Sequence, residues 1–294
     1  MAATEIYQVV EEIDCATAPK LLALLSPLHD FWHADPTEWI FRGHASAEWS
    51  LLATAHRRDV DPYAKWGITG EQGIESGDWL QRRAAELDLL GRFRKGLDGA
   101  GLGIPLNPLA SYEYPEVTHL GEIRSDALPI LALAQHWGLP TSLLDWTRIA
   151  GKAAYFAAAD PKAHESTGQL AVWALKETVL TAGIFANELE LRVVVAPLAS
   201  NPNMHAQSGL FTQSRGEKIV TVDDHLRRQF KEFSKDLTPR FPLPWIRKLS
   251  LPRSEARSLL RILSYMGIHG SSMFPGPDGV VRRMREEAIW RSLS

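Results

Sequence analysis

Two separated segments, Trp39-Ile-Phe-Arg-Gly43 and Gln135-His-Trp-Gly-Leu-Pro-Thr-Ser-Leu-Leu-Asp-Trp-Thr147, set charged and polar residues inside otherwise core-like sequence. No other feature constrains the fold of this chain as much. Arg42, His136, Asp145 and Thr147 stand among Trp39, Phe41, Leu143, Leu144 and Trp146. Burying a polar group without a partner costs on the order of 2–7 kcal/mol, and an unpaired charge costs more. A fold that buries the flanking side chains must therefore bring these groups to one another or to a ligand. We expect Arg42, His136, Asp145, Thr147 and the later Gln207 to share one polar pocket.

Periodicity places these residues on elements. Leu21, Leu22, Leu24, Leu25 and Leu28 follow Thr17 and Pro19, which reads as a capped helix with an early proline. Trp39 to Gly43 reads as a short strand with Ile40 and Arg42 on the face opposite Trp39 and Phe41. A longer helix begins at Asp78 and ends at the Gly/Pro-rich connection Gly96–Pro108. A second begins at Asp126 and is stopped by Gly138 and Pro140, so His136 falls in its last turn, where the helix terminus favours a charged imidazole.

Leu143–Thr147 then reads as an extended piece and Arg148–Ala159 as a helix of small residues. Strands are expected at Leu170–Leu175, Leu189–Ala196, Gln207–Phe211 and Lys218–Val222, with helices near 223–235, 254–266 and 279–292. Strands in the middle of the chain with helices before and after predict an α+β fold, a mixed central sheet flanked by helices with additional helices at both ends.

The chain has 294 residues, 45% of them hydrophobic, enough for a large core in one domain or a domain with an appended subdomain. Residues 1–15 carry four acidic residues, and no apolar run approaches the ~20 residues that span a bilayer, so a soluble, cytoplasmic protein without a membrane partner is expected. A single Cys15 and the absence of CxxC and HExxH spacings leave no basis for expecting a disulfide or a zinc site, and no metal is expected. No Walker loop, Gly-x-Ser-x-Gly elbow or kinase set occurs, and Gly99-x-Gly101-x-Gly103 is not the dinucleotide pattern. Residues 240–294 hold ten Lys and Arg against four Asp and Glu, a balance of +6 within a chain of net charge −3. Such a basic end is either a solvated helical face or a surface for an anionic partner.

Phe41-Arg42-Gly43 with Trp49, Leu51 and Arg57, followed by the His136-to-Thr147 block running into Ala153-Ala-Tyr-Phe-Ala157, resembles the FRG domain, named for its Phe-Arg-Gly motif. Asn201–Thr212, with its Gln207-x-Gly209-x-Phe211, and Gly267-Ile268 with Phe274–Gly279 resemble later parts of that family. Two departures remove positive charge: Ser142 and Asn203 stand where arginines are common in the family. The resemblance implies one FRG-type domain over 1–294, with a signature core at about 36–222 and a helical, basic portion at 223–294 packed on it.

A looser resemblance is to the ADP-ribosyltransferase superfamily in the order of its parts. These are an Arg on a first strand before Gly, a Thr-bearing strand leading into an alanine-rich helix, and a polar residue on a later strand. By that resemblance Arg42, Asp145, Thr147 and Gln207 would be catalytic, and Arg42, Gly43, His136, Thr141, Trp146 and Gly209 would contact NAD or a related nucleotide. Cleavage or transfer at the ribose would follow, on a protein or nucleic-acid target that the sequence does not name. The third-strand position is open between Gln207 and the pair Glu188/Glu190.

The same residues also have structural readings. Arg42 could bridge carboxylates, Asp145 or Thr147 could cap the helix near Arg148, and Glu188/Glu190 could be a solvated pair. A noncatalytic module that senses a nucleotide, or binds nucleic acid through Arg282, Arg283 and Arg285, is the alternative function.

Overall fold

The computed structural model describes residues 9–32, 38–57, 61–68, 79–103, 123–181, 190–195, 202–215, 218–237 and 241–291. Asp78, Glu188 and Asn201 lie outside them, as does 104–108 of the expected connection. In chain order the elements are β1 (Val10–Asp14), α1 (Ala18–Leu24), β2 (Trp39–His44), α2 (Trp79–Gly99), α3 (Leu128–His136), β3 (Leu143–Thr147) and α4 (Ala150–Ala159). There follow β4 (Gln169–Lys176), α5 (Glu177–Thr181), β5 (Leu191–Val194), α6 (Pro202–Gln207) and β6 (Gly209–Ser214). Then come α7 (Val222–Leu237), β7 (Ile246–Pro252), α8 (Ala256–Tyr265), α9 (Gly270–Met273) and α10 (Pro277–Arg291).

The strands form one mixed seven-stranded sheet in the order β1, β7, β4, β2, β3, β6, β5, parallel only between β1 and β7, with helices on its faces. Strand β4 explains why both faces must be covered, since seven of its eight residues are buried. Its alternate residues feed two different cores. Leu170, Val172 and Ala174 join Trp39 and Phe41 of β2 beneath α1, α4 and α8. Ala171, Trp173 and Leu175 join Ile40, Trp146, Trp245 and Leu226 on the other face.

The alternation expected of Trp39–Gly43 is therefore present, with Ile40 in the second core and Trp39 and Phe41 in the first. Helix α4 buries Ala153, Ala154, Ala157 and Ala158 against β2. It lies so near that a Cβ on Gly43 would stand 1.9 Å from the Ala153 carbonyl oxygen and 2.6 Å from the Ala157 nitrogen. The alanines and the glycine are the two sides of one contact.

Three expectations need correction. The portion after residue 222 is not purely helical, because Ile246–Pro252 is a strand inserted between β1 and β4. Its burial and that of the residue after it need partners for two arginines. Arg247 Nε reaches Glu11 Oε2 at 2.7 Å and lies over the Phe31 ring at 3.8 Å, and Arg253 pairs with Glu165 at 2.9 Å. Lys218–Val222 does not extend as a strand, and Val222 opens α7. Helix α1 stops at Leu24, and Leu28 is exposed. Among the described residues no helix is long and apolar enough to cross a membrane.

Candidate functional site

Strand β2 pairs with β4 along six residues and β3 pairs with β6 along five, but β2 and β3 meet at one bridge, Phe41 to Thr147. Beyond that bridge the two strands part, and a cleft of about 730 Å³ opens along the seam. Arg42 fills the start of the gap. Its Nη1 donates to the Asp145 carbonyl at 2.7 Å and to Asp145 Oδ2 at 3.3 Å, while its Nε donates to His44 Nε2 at 2.9 Å.

His44 Nε2 can accept that bond only when unprotonated. Burial and then the Arg42 charge push the imidazole down to about 2, so it stays neutral. Burial also pushes Arg42 below its ordinary value, with Asp145 opposing and Arg57 adding to the fall. Arg57 lines the same cleft and is exposed.

The Asp145 carboxylate is 60% exposed and is steadied on its other oxygen by Gln135 Nε2 at 2.7 Å. Gln135 is in turn held by the Thr141 hydroxyl, which bonds its Oε1. Thr141 therefore supports the cleft from behind rather than lining it.

Arg42, Gly43, His136, Asp145, Trp146, Thr147, Gln207 and Gly209 all line this cleft, so the polar residues of the two sequence segments do converge. Their detailed environments differ from the expectation at several points. Thr147 is buried, its hydroxyl donating to the Gln207 carbonyl at 2.6 Å and accepting from Ile149 N at 3.2 Å ahead of α4. Gln207 ends α6 instead of opening a strand. Ser208 turns the chain with φ 52° and β6 begins at Gly209.

The Gln207 Nε2 donates to the Met273 carbonyl at 3.2 Å, leaving Oε1 without a partner among the described residues. The Trp146 indole is core, bonded to the Thr212 hydroxyl at 2.9 Å. A Cβ on Gly209 would meet only ordinary contacts at 3.6 Å and beyond, so no steric need fixes that glycine. His136 sits in the last turn of α3 as expected, but burial lowers its basicity, with Asp145 opposing, and outweighs any help from the helix terminus.

Glu190 lies elsewhere. It pairs with His225 Nδ1 at 3.2 Å, and His225 Nε2 faces the Ser214 hydroxyl at 2.9 Å, none of the three lining the cleft. Of the two substituted family positions, Asn203 lines the cleft and Ser142 does not. Ser142 is buried between Arg83, Glu86 and Gln213.

Two tryptophans that the sequence offered either as core or as pocket lining, and one arginine it did not place here, complete the walls. Trp49, 39% exposed, stands edge-on to His44, and Trp137 is 67% exposed beside His136. From α10, Arg282 reaches across with Asp278 and covers the Phe274 ring at 4.2 Å. The tryptophans were within reach of the sequence because they stand beside the Arg42 and His136 segments. Nothing local in the sequence joins Arg282 to this site. Among the described residues no group of three or more His, Cys, Asp or Glu is placed to hold a metal.

Residues 37–166 match the family model of the FRG domain, and over that span the chain carries an FRG domain. No curated protein and no solved structure matches the chain.

Proposed function

We propose that this FRG domain binds NAD or a related nucleotide in the seam between β2 and β3 and cleaves or transfers at the ribose, as an ADP-ribosyltransferase or NAD glycohydrolase does. The observation that carries the reading is an Arg42–Asp145 ion pair with the Asp145 carboxylate exposed, joined by a second guanidinium, Arg57, in the lining of a cleft of about 730 Å³ walled by aromatic rings. That volume suits a ligand of nucleotide size.

Planar guanidinium groups grip diphosphate oxygens with paired hydrogen bonds. Arg42 enters with Nε and Nη1 already held by the protein, so little side-chain entropy is lost on binding. A diphosphate competes with Asp145 Oδ2 for Arg42, while Gln135 keeps the carboxylate in place through Oδ1. In the reaction the bond from ribose C1′ to the nicotinamide nitrogen breaks and its electron pair leaves with nicotinamide. An acceptor hydroxyl bonds to C1′ and its proton passes to solvent. Asp145 stabilises the positive charge that grows on the ribose, and Gln207 Oε1 accepts from a ribose hydroxyl. The buried Cys15 thiol is compatible with a cytoplasmic setting.

Free nicotinamide or labelled macromolecules after incubation with NAD, with and without cell extract, test this reading, with Asp145→Asn as the inactive control. Turnover that survives Asp145→Asn, or the absence of both products, sinks it. A second reading, noncatalytic nucleotide sensing, draws on the engagement of the Thr147 hydroxyl and the Gln207 amide group within the protein. Calorimetric binding of NAD without release of nicotinamide would single it out.

A further inference from the structure

A second concavity, a groove of about 870 Å³, runs between α8 and α10 and shares no residue with the cleft along the β2/β3 seam. Its charge is one-sided. Arg253, Arg257, Arg261, Arg283 and Arg291 line it against two carboxylates, Glu165 and Glu287, in a chain whose net charge is −3. Three of the five arginines are engaged by those carboxylates, Arg253 by Glu165 and both Arg283 and Arg291 by Glu287. Arg257 and Arg261 have no carboxylate partner among the described residues, and both are exposed.

They lie one turn apart on α8, so the two charges follow each other along the groove. Ser254 and Ser258, also one turn apart, add hydroxyl donors beside them. Two aromatic rings complete the groove: Trp290, half-buried, and Tyr265, 78% exposed with the Arg261 guanidinium 6.0 Å from its ring centre.

The geometry points to a binding site for single-stranded nucleic acid, with successive phosphates on Arg257 and Arg261 and a base stacked on Tyr265. A track of cations gives affinity for a backbone of regularly spaced phosphates, and an exposed ring beside it gives a stacking platform. An acidic peptide would use the cations but has no need of the ring. The site also relocates the basic character read from the sequence. Arg282 and Arg283 are tied to Asp278 and Glu287, and Arg285 does not line the groove, so the unpaired charge that faces the groove lies on α8.

The test is fluorescence anisotropy with the full chain and a labelled oligothymidylate of about 15 nucleotides, at salt from about 50 to 200 mM, where affinity for phosphates falls steeply. Binding weakens with salt in the wild type. The double variant Arg257→Ala, Arg261→Ala binds at least tenfold more weakly at low salt, and the slope of log affinity against log salt falls by about 1.4, about 0.7 for each phosphate contact on a single strand. Tyr265→Ala weakens binding and keeps the slope. All three proteins melt at the same temperature, because the substituted side chains are exposed, and all three retain nucleotide binding in the seam cleft.

A wild-type slope near zero, a double variant that binds like the wild type, equal or tighter binding of duplex of the same sequence, or preference for polyglutamate each overturn the proposal. These outcomes are read independently of NAD binding, so the two sites stand or fall separately.

Discussion

Replacing Gly43 with alanine is the sharpest perturbation this structure offers. The added Cβ would stand 1.9 Å from the Ala153 carbonyl oxygen and 2.6 Å from the Ala157 nitrogen, both backbone atoms of α4. Since real contacts of this kind rarely fall below about 3.4 Å, the helix would have to retreat by about 1.5 Å, more than well-packed cores absorb by side-chain adjustment. Overpacking costs about 1–3 kcal/mol where side chains can yield. Here the obstruction is backbone, and we expect about 3 kcal/mol or more, roughly 10 °C in melting temperature.

Urea unfolding followed by circular dichroism reads the loss, with Gly209→Ala as the control. The Cβ of that control meets nothing nearer than 3.6 Å and is expected to cost less than about 0.5 kcal/mol. Trimming α4 with Ala153→Gly should not rescue Gly43→Ala, because the clash is with the main chain. Equal stability of the two glycine variants, or rescue by that second substitution, would refute the reasoning.

Arg42→Lys loses the fork that joins His44 to the Asp145 carbonyl, so both the melting temperature and the affinity for NAD should fall, the former by the equivalent of about 1–3 kcal/mol. Unchanged melting would show that these bonds contribute nothing net. Gln207→Ala should weaken NAD binding while Glu190→Ala leaves it unchanged, and calorimetry on the two variants decides between them. His44 and His56 are buried and held down to about 2 and about 3, against an unfolded value of about 6.5. The unfolded chain therefore takes up protons first. Stability is complete above about pH 6.5 and is lost as pH falls toward 3, by up to about 1.4 kcal/mol per pH unit for each histidine. Urea midpoints at several pH values should show that slope reduced in His44→Gln.

The legible part of the fold was the part whose pattern is local. Ile40 and Arg42 alternate with Trp39 and Phe41, and the alanines of α4 announced close packing, so β2, β3 and α4 followed from periodicity. Strand β7 was hidden because Arg247 and Lys248 interrupt its apolar run and Arg253 follows it directly. Their burial is compensated by Glu11, by aromatic rings and by Glu165, all distant in sequence. Gln207 was misplaced by one element because the turn between α6 and β6 is a single residue, the left-handed Ser208, and the adjacent Gly209 is already the first residue of the strand.

The convergence of Arg42 and Thr147 was foreseeable from the cost of burying them apart, whereas Asp145 joins them with its carboxylate exposed, and the argument does not assign roles. Thr147 satisfies the same energetic demand by bonding the Gln207 carbonyl and Ile149, and is consumed in doing so. What distinguishes Asp145 is that its main-chain carbonyl, not its carboxylate, makes the shorter bond to Arg42. The seam between β2 and β3 is thus held by a bond that leaves the exposed carboxylate free to exchange partners. A strand pair closed by a full ladder would have needed no arginine there and would have left no cleft. The single bridge at Phe41 and Thr147 and the guanidinium beside it therefore place an open, charged site at the middle of the sheet.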